Sequence, residues 1–459
     1  MLSYHQNAPL YEALQALAAR DTLRFHMPGH KGKPIFEAYA SVFALDFTET
    51  YDTGNLYEGI GPIREAERCA ADYYGAADCH FLTGGSTQGV QAMLCAAAAP
   101  GGAVLLDRTA HKSAVSACAL FDLTPHFVYP PPTAPFGFGG LLSLTETEEA
   151  LRAHPEIQAV LVVSPNYYGV LQDIPALAAL CHQYGKRLLV DAAHGAHLPA
   201  VGIPSPVAQG ADAAVLSAHK TLPCLGQGAL VLLGEGMDGG TLRAAESMVG
   251  TSSPSYTVMA SIDLARAWLE GEGGSAYARA AKEVTSLRAW LRQNTVFRPL
   301  EEPEPNLDPC RLTLCCAHAG LTGHALADRL YEQHGVACEM ADDRNVVFII
   351  TGADSTVDLF RLRRALHRCS HGLRPAGDPD AVPDLPRAAR VLTVRDAWFS
   401  PRRAVPVNAA ENLICARPVT PYPPGIPVLW PGEKITAAHI EFLTKRCYTT
   451  VREIETVSR

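Results

Sequence analysis

The sequence predicts an α/β fold, with a large domain built on a mainly parallel sheet and a smaller α+β domain towards the C-terminus. Three observations predict it. Five short apolar runs alternate with helical segments between about residues 60 and 235. None of these runs alternates polar with apolar residues, which is typical of strands covered on both faces of a parallel sheet. A charged, proline-rich linker at about 299–310 then precedes a second set of strands and helices.

The first set of elements forms the large domain. Its predicted strands are rich in valine, leucine and alanine, and each is too short to be a buried helix. A predicted helix over 174–186 ends at Gly185 and Lys186, which are typical residues of a helix C-terminus. In chain order the predicted strands are 103–107, 159–165, 187–193, 213–218 and 229–233.

The second set of elements forms the small domain. The order strand, helix, strand, strand, helix indicates an α+β arrangement, and a second proline-rich stretch over 375–387 follows it. The N-terminal residues 1–21 are predicted to include an amphipathic helix. The five predicted elements of the small domain are 311–317, 323–334, 336–341, 345–351 and 356–370.

Composition limits the function classes. The chain has 459 residues and a net charge of −9, so it exceeds one compact core and offers no basic surface for nucleic acid. Its 13 cysteines are scattered without a CxxC pair, which favours a reducing compartment. The N-terminus has no basic signal-peptide region, and no stretch of about 18 apolar residues is present. We therefore expect a cytoplasmic protein without a membrane partner.

A lysine follows one of the predicted strands. The segment Ser-Ala-His-Lys-Thr over 217–221 comes directly after the strand that ends near Ala218. An amine held partly desolvated at a strand end can form a Schiff base with a carbonyl cofactor. The alternative for Lys220 is an ordinary solvated lysine.

An aspartate ends the preceding predicted strand. Asp191 lies 29 residues before Lys220, and both follow strands whose carboxyl ends are where open α/β sheets bind ligands. Pyridoxal phosphate needs such a carboxylate to keep its pyridine nitrogen protonated. The alternative for Asp191 is a helix N-cap, but together with Lys220 the cofactor role is favoured.

Two further segments can bind parts of the same cofactor. The glycine-rich run TGGSTQG over 83–89 precedes a helical run, and free N–H groups at a helix N-terminus suit a phosphate. It is neither a P-loop nor GxGxxG, which disfavours ATP and NAD, and an ordinary N-cap is the alternative. His111 follows the strand 103–107 at the same sheet edge, where an imidazole can stack on a flat ring.

Taken together, these motifs resemble a known family. The chain is similar to the Orn/Lys/Arg decarboxylases in their short form without an N-terminal wing domain, which are fold-type I, aspartate aminotransferase-like enzymes that use pyridoxal 5'-phosphate. The similarity covers nearly the whole chain. The motifs that carry it are HMPGHK (26–31), GPIREAE (61–67), TGGSTQG (83–89), HKS (111–113), SPNYYG (164–169), DAAHGAHL (191–198), SAHKTLP (217–223) and PYPPGIP (421–427).

The resemblance implies roles for individual residues. Lys220 matches the Schiff-base lysine, Asp191 the partner of the pyridine nitrogen, and His111 the ring-stacking histidine. His194 lies beside the cofactor in a segment that reads Asp-Ala-Ala-His here and Asp-Glu-Ala-His in many members. Lys220 and His219 are both candidates for the acid that protonates Cα. The phosphate-binding positions match Ser86, Thr87, Ser217 and His219.

The resemblance also implies domains and partners. We expect an N-terminal arm over 1–35, a large cofactor-binding domain over 36–298, a small α+β domain over 299–385 and a decarboxylase-type C-terminal segment over 386–459. Fold-type I sites lie between subunits, so we expect a homodimer or a higher homo-oligomer. The reaction is decarboxylation of arginine, lysine or ornithine, which places the enzyme in polyamine biosynthesis.

A cationic substrate side chain needs a carboxylate partner. The segment 46–59 departs from the family's usual pattern, so the sequence identifies several candidates instead of one. We expect the contact from Asp52, Glu58 or Glu339; further candidates are Asp46, Glu49, Asp342 and Glu433.

Three other functions stay open. The first is another fold-type I reaction, by an aminotransferase or a lyase, in which Arg311 binds the α-carboxylate. The second is a catalytically silent binding protein that keeps the fold. The third is a metalloenzyme using His194 and His197, but an HxxH pair without the helical Glu of zinc proteases disfavours it, and we expect no metal.

Overall fold

The computed structural model describes residues 7–301, 307–377, 384–421, 425–445 and 451–458. Parts of the predicted linker (302–306), of the second proline-rich stretch (378–383) and of the PYPPGIP motif (422–424) lie outside these residues. The strands are β1 Asp78–Leu82, β2 Ala103–Asp107, β3 Thr124–Val128, β4 Ile157–Val163, β5 Arg187–Asp191, β6 Ala213–Leu216, β7 Ala229–Leu233, β8 Arg298–Pro299, β9 Arg311–Cys315, β10 Met340–Ala341, β11 Asn345–Ile349, β12 Arg402–Pro406 and β13 Glu453–Val457.

The α-helices of the described residues are α1 Pro9–Ala18, α2 Ala40–Leu45, α3 Pro62–Tyr74, α4 Gly85–Ala97, α5 Lys112–Phe121, α6 Leu144–Ala153, α7 Ile174–Gln183, α8 Ala218–Thr221, α9 Gly239–Val249, α10 Tyr256–Trp268, α11 Gly274–Asn294, α12 Gly323–His334, α13 Thr356–Ser370, α14 Val394–Phe399 and α15 Ala437–Lys445. No described helix combines the length and the apolar character that crossing a membrane requires.

The chain forms two compact units. The first comprises Met1–Ala96, Leu189–Arg279 and Thr351–Ala353, and the second comprises Ala97–Leu188, Ala280–Ile350 and Asp354–Arg459. The division into four segments that the sequence predicts has other boundaries and stays a prediction.

Seven strands belong to the main sheet. In the first unit the order is β1-β7-β6-β5, and in the second it is β4-β2-β3. The pairs β5–β6, β2–β3 and β2–β4 are parallel, which confirms a mainly parallel α/β sheet. The prediction that β7 is also parallel is wrong, because it pairs antiparallel with both β1 and β6. Its five residues are all buried, and a strand covered on both faces has the same apolar pattern in either direction.

The second unit contains the predicted small α+β layer. Its antiparallel sheet has the order β10-β11-β9-β8, and α12 packs against β11 and α13. The helix boundaries predicted over 323–334 and 356–370 are confirmed. Strong caps explain this agreement: Thr322 accepts from Ala325 N, while Ser355 and Asp358 form a capping box.

The C-terminal segment adds a separate buried core to the second unit. β12 pairs with β13, and side chains such as Leu429, Ile435 and Ile454 pack together. Buried Arg108, just after β2, donates to the carbonyls of Pro427 and Val428 and lies 3.5 Å from Glu433 Oε2. Burial alone raises the pKa of Glu433, and the Arg108 guanidinium opposes that rise.

The N-terminal residues of the first unit divide into a packed helix and an exposed segment. α1 buries Leu10 and Leu14 and leaves polar side chains outside, which confirms the predicted amphipathic helix. Its first turn is fixed because Leu10 N donates to Asp263 Oδ2 over 2.9 Å. From Leu23 to Ile60, by contrast, nine large apolar side chains are exposed: Leu23, Phe25, Met27, Ile35, Phe36, Tyr39, Val42, Tyr51 and Ile60.

Candidate active site

Lys220 lies in the first unit on α8, a helix of four residues that follows the fully buried β6. Its half-buried Nζ is 3.3 Å from His194 Nε2. As an ammonium group, Lys220 would donate to an unprotonated His194 Nε2 across this distance. Lys220, the predicted Schiff-base lysine, and His194, the predicted neighbour of the cofactor, are therefore in direct contact.

Asp191 is the last residue of β5 and is buried. β5 runs parallel to β6, and Asp191 is in register with Val215, two residues before Ser217. Asp191 Oδ1 accepts from Ala193 N over 3.2 Å, which fixes the orientation of the carboxylate. Asp191 and the Ser217–Lys220 segment thus follow neighbouring strands at the same sheet edge, as the sequence predicts.

Ser217 supplies a test of whether a further group fits this edge. Its hydroxyl is fully buried and has no hydrogen-bond partner among the described residues, and the hydroxyl of Thr221 is in the same condition. An unsatisfied buried hydroxyl costs about 1–3 kcal/mol, so such groups normally have a partner. Ser217 is therefore a donor and acceptor available beside Lys220, which fits a phosphate-bearing cofactor.

The glycine-rich run forms the start of α4. Ser86 and Thr87 lie in its first turn and retain solvent exposure, so their hydroxyls and backbone N–H groups are accessible. Gly89 faces β6: a Cβ there would lie 2.5 Å from Val215 Cγ2, so only glycine allows this helix to approach the strand. The motif therefore fixes the position of this helix on the sheet and leaves its N-terminal turn accessible.

Gln88, in the same motif, fixes this turn although the sequence analysis did not identify it. Its buried side chain accepts from Gly84 N over 3.0 Å and donates to the carbonyl of Glu246 over 3.0 Å. Nε2 also lies 3.3 Å from the Tyr57 hydroxyl. A glutamine in the first turn of a helix is common, so the sequence gives no sign of this role. Only the structure shows its partners Tyr57 and Glu246, which are 31 and 158 residues away.

A buried charge network continues from Glu246. His80 Nδ1 lies 3.0 Å from Glu246 Oε1, and Arg243 binds Glu67 in a bidentate pair. Burial alone would lower the pKa of His80, but hydrogen bonds to Asp78 and Glu246 outweigh it and raise this pKa to about 9. His80 is therefore a cation at neutral pH that joins β1 to α9.

The ring of His219, on α8, binds a backbone carbonyl through one nitrogen. Its Nδ1 donates to the Gly228 carbonyl over 2.9 Å. Neutral His219 then has a lone pair at Nε2, and only the imidazolium form would offer an N–H there. This restricts the predicted phosphate-binding and acid roles to the protonated ring.

His111 belongs to the second unit, where it caps α5. Its Nδ1 accepts from Ser113 N over 3.2 Å and lies 3.0 Å from Ser113 Oγ. This contact fixes the ring at the start of the helix. Its predicted role of stacking on the cofactor stays a prediction.

The predicted substrate carboxylates differ in their partners. Asp52 pairs with Arg20 over 3.1 Å, and both side chains are about half-exposed. Glu339, in the second unit, accepts from the Tyr167 hydroxyl over 3.1 Å. Exposed Glu58 lines an open cavity of the first unit with Arg64, His80 and Arg243. The role of each in substrate binding stays a prediction.

Arg311, the residue on which an aminotransferase alternative depends, is buried in the second unit. Its Nη1 donates to the Tyr167 carbonyl over 3.1 Å, and Nε lies 3.8 Å from Asp308 Oδ2. Burial lowers the pKa of this guanidinium. Arg311 therefore has protein partners of its own.

Comparisons with known proteins find similar sequences and similar folds. The chain is 30% identical to an arginine decarboxylase of Bacillus subtilis, over 97% of this chain and 94% of that protein. The fold matches a lysine decarboxylase of Francisella novicida with a TM-score of 0.83 at 17% identity, covering 99% and 82% of the two chains. It also matches an alanine–glyoxylate aminotransferase of Nostoc sp. with a TM-score of 0.54 at 19% identity, covering 67% and 86%.

Family models match two parts of the chain. The major domain of the Orn/Lys/Arg decarboxylases matches residues 8–304, and their C-terminal domain matches residues 388–450. These matches confirm the predicted family and, with the structural neighbours, the fold-type I architecture. The chain belongs to the Orn/Lys/Arg decarboxylase family.

Proposed function

We propose that this decarboxylase converts a basic amino acid, arginine, lysine or ornithine, to the corresponding amine with pyridoxal 5'-phosphate as cofactor. The observation that carries the proposal is the edge formed by Asp191, Lys220 and the unsatisfied buried hydroxyl of Ser217. The name of the Bacillus subtilis relative favours arginine, and that of the Francisella novicida neighbour favours lysine. We rank both ahead of ornithine.

The residues of the first unit would hold the cofactor. Lys220 would supply the amine that holds its carbonyl carbon, and Asp191 would hold a proton on the ring nitrogen by charge. Ser217, with Ser86 and Thr87 at the start of α4, offers hydroxyls and N–H groups to the phosphate. His194 lies against the Lys220 amine. When bound, the cofactor supplies an electron sink for the bond that breaks as CO₂ leaves.

Proton transfer to Cα is the next task of the chain's own residues. Lys220 and His219 are the two candidates, and the structure favours Lys220. His219 presents only a lone pair at Nε2 unless the ring is protonated, because Nδ1 donates to the Gly228 carbonyl. Lys220, whose amine contacts His194, can pass a proton along this pair.

Recognition of the substrate side chain needs a carboxylate, and we favour Glu58 among the three candidates. Asp52 already pairs with Arg20, and Glu339 is bonded to Tyr167. Replacing Glu58 by Gln should raise KM for the basic amino acid at least about tenfold, because a charge-assisted contact is lost. The matched control is Asp52→Asn, which should leave KM within about twofold.

We also propose that the enzyme is a homodimer or a larger homo-oligomer in which a second copy covers the exposed segment from Leu23 to Ile60. Phe25 is 88% exposed there, and so many exposed large apolar side chains in one segment favour an interface. Phe25→Asp should shift sedimentation towards the monomer and lower activity. Phe399→Asp, at an exposed apolar residue of the second unit, is the control that should do neither.

The expected product indicates the metabolic role of the reaction and its compartment. A basic amine is a precursor for polyamine biosynthesis, and we place this reaction in the cytoplasm. Cell fractionation with an antibody to the chain should find it with cytoplasmic markers.

The proposed reaction is tested by loading the purified chain with pyridoxal phosphate and measuring CO₂ from carboxyl-labelled arginine and lysine. We expect release of CO₂ with at least one of them, accompanied by the matching amine. Lys220→Ala should abolish the release of CO₂ and the absorbance of lysine-bound cofactor at about 420 nm. A keto acid product, or unchanged turnover in Lys220→Ala, would contradict the proposal.

A further inference from the structure

Two histidines and a glutamate converge on the surface of the second unit. His126 Nε2 lies 3.6 Å from Glu156 Oε1, and His154 Nδ1 lies 3.2 Å from the same oxygen. The two imidazole rings are 3.8 Å apart between centroids, with 34° between their planes. One ligand atom from each residue lies within 4.8 Å of the others. Nothing in the proposed decarboxylation uses these side chains.

Two parts of the fold bring these residues together. His126 is the central residue of β3, which is the edge strand of the second unit's part of the main sheet. His154 is the C-cap of α6, and Glu156 lies in the short connection from α6 to β4. The fold therefore brings His126 to a pair of residues, His154 and Glu156, that lie two positions apart in the sequence.

The spacing of the three ligand atoms suits a tetrahedral metal ion. Ligand atoms about 2.0–2.2 Å from a tetrahedral Zn²⁺ are about 3.3 Å from one another, close to the two distances to Glu156. Imidazole nitrogens and carboxylate oxygens are both ligands that Zn²⁺ accepts.

We propose that His126, His154 and Glu156 form a binding site for a divalent transition metal such as Zn²⁺. Two imidazole nitrogens and one carboxylate are a common ligand set for this ion, and a water would complete the tetrahedron. The bound ion would neutralise Glu156 and tie edge strand β3 to the end of α6. The Arg390 guanidinium lies near this site and donates to the Pro125 carbonyl.

The test uses tag-free full-length protein, freed of metal with a chelator and titrated with Zn²⁺ by calorimetry. Because the chain has 13 cysteines, the site is read as a difference between variants. His126→Asn, His154→Asn and Glu156→Gln should each weaken one Zn²⁺ site at least about a hundredfold, more than loss of an outer-shell contact does. His371→Asn, at an exposed histidine elsewhere in this unit, should leave that site unchanged.

Cobalt gives an independent readout. Co²⁺ bound at the wild-type site should show the visible absorption of a tetrahedral nitrogen and oxygen site, and Glu156→Gln should lose it while the thermal unfolding midpoint without metal stays the same. Glu156 is exposed, so this variant does not depend on refolding a buried contact. The proposal would be overturned if all three variants bound Zn²⁺ with the same affinity as the wild type. It would also be overturned if the wild type bound no Zn²⁺ ion that the variants fail to bind.

Discussion

The charge network at His80 makes the stability of the first unit depend on pH. In the folded protein the pKa of His80 is raised to about 9 from an ordinary 6.5, because Asp78 and Glu246 bind the protonated ring. The folded state therefore holds a proton that the unfolded state loses above about pH 6.5. This contribution to the free energy of unfolding is fully present below that pH and is lost as the pH rises through about 9.

The size of the effect follows from the shift. A difference of about 2.5 pKa units corresponds to about 3 kcal/mol, of which about 2 kcal/mol disappears between about pH 6.5 and pH 8.5. The comparison is made with His80→Asn, which removes the titrating group but keeps a polar side chain. Both proteins contain the same other titrating groups, so their difference reports the His80 proton together with its coupling to Asp78 and Glu246.

The assay is urea unfolding at fixed protein concentration over this pH range, followed by fluorescence of Trp268, with each of the other three tryptophans replaced by Phe. The wild type should lose about 2 kcal/mol more than His80→Asn between the two ends of the range. His182→Asn, at an exposed histidine, should behave as the wild type. If the wild type and His80→Asn lost stability in parallel, the network would not hold a proton on His80 and the reasoning would be refuted.

Three further predictions concern the site and its support. Asp191→Asn should keep lysine-bound cofactor, seen in the absorbance spectrum, but lower kcat at least about a hundredfold, because an amide cannot hold the ring proton by charge; an unchanged kcat would exclude this role. Gln88→Ala should weaken cofactor binding about tenfold in an equilibrium titration, since Gly84 N loses its acceptor, while a Thr87→Val control tests the hydroxyl alone. Arg108→Ala should lower the free energy of unfolding by about 3–5 kcal/mol in denaturant titration, because Glu433 remains buried without its cation; a change below about 1 kcal/mol would contradict this.

The strands that the sequence analysis missed show what limits prediction. β1 reads Asp-Cys-His-Phe-Leu, and a buried histidine looks wrong for a strand until its partner Glu246, 166 residues later, is known. β3 contains Pro125, which normally argues against a strand, but β3 lies at a sheet edge where a missing N–H is tolerated. Whether these two segments form strands therefore depends on their distant partners, which local periodicity does not reveal.

The residues of the candidate site also differ in whether they could be predicted from the sequence. Lys220 and Asp191 could be predicted because polar residues after buried strands must meet at the carboxyl edge of a parallel sheet. Gln88 could not, since its contacts to Tyr57 and Glu246 come from remote parts of the first unit. Substrate carboxylates were the least predictable, because exposed acidic residues are abundant and spacing does not distinguish a ligand from a surface charge.

The most direct test of the central claim is the rate of CO₂ release by the cofactor-loaded enzyme from arginine, lysine, ornithine, leucine and glutamate under identical conditions. The account predicts decarboxylation of at least one basic amino acid, with kcat/KM for leucine at least about a hundredfold lower, as expected when a charge-assisted contact of roughly 3 kcal/mol is lost. Leucine or glutamate decarboxylated as efficiently as the basic amino acids would contradict it.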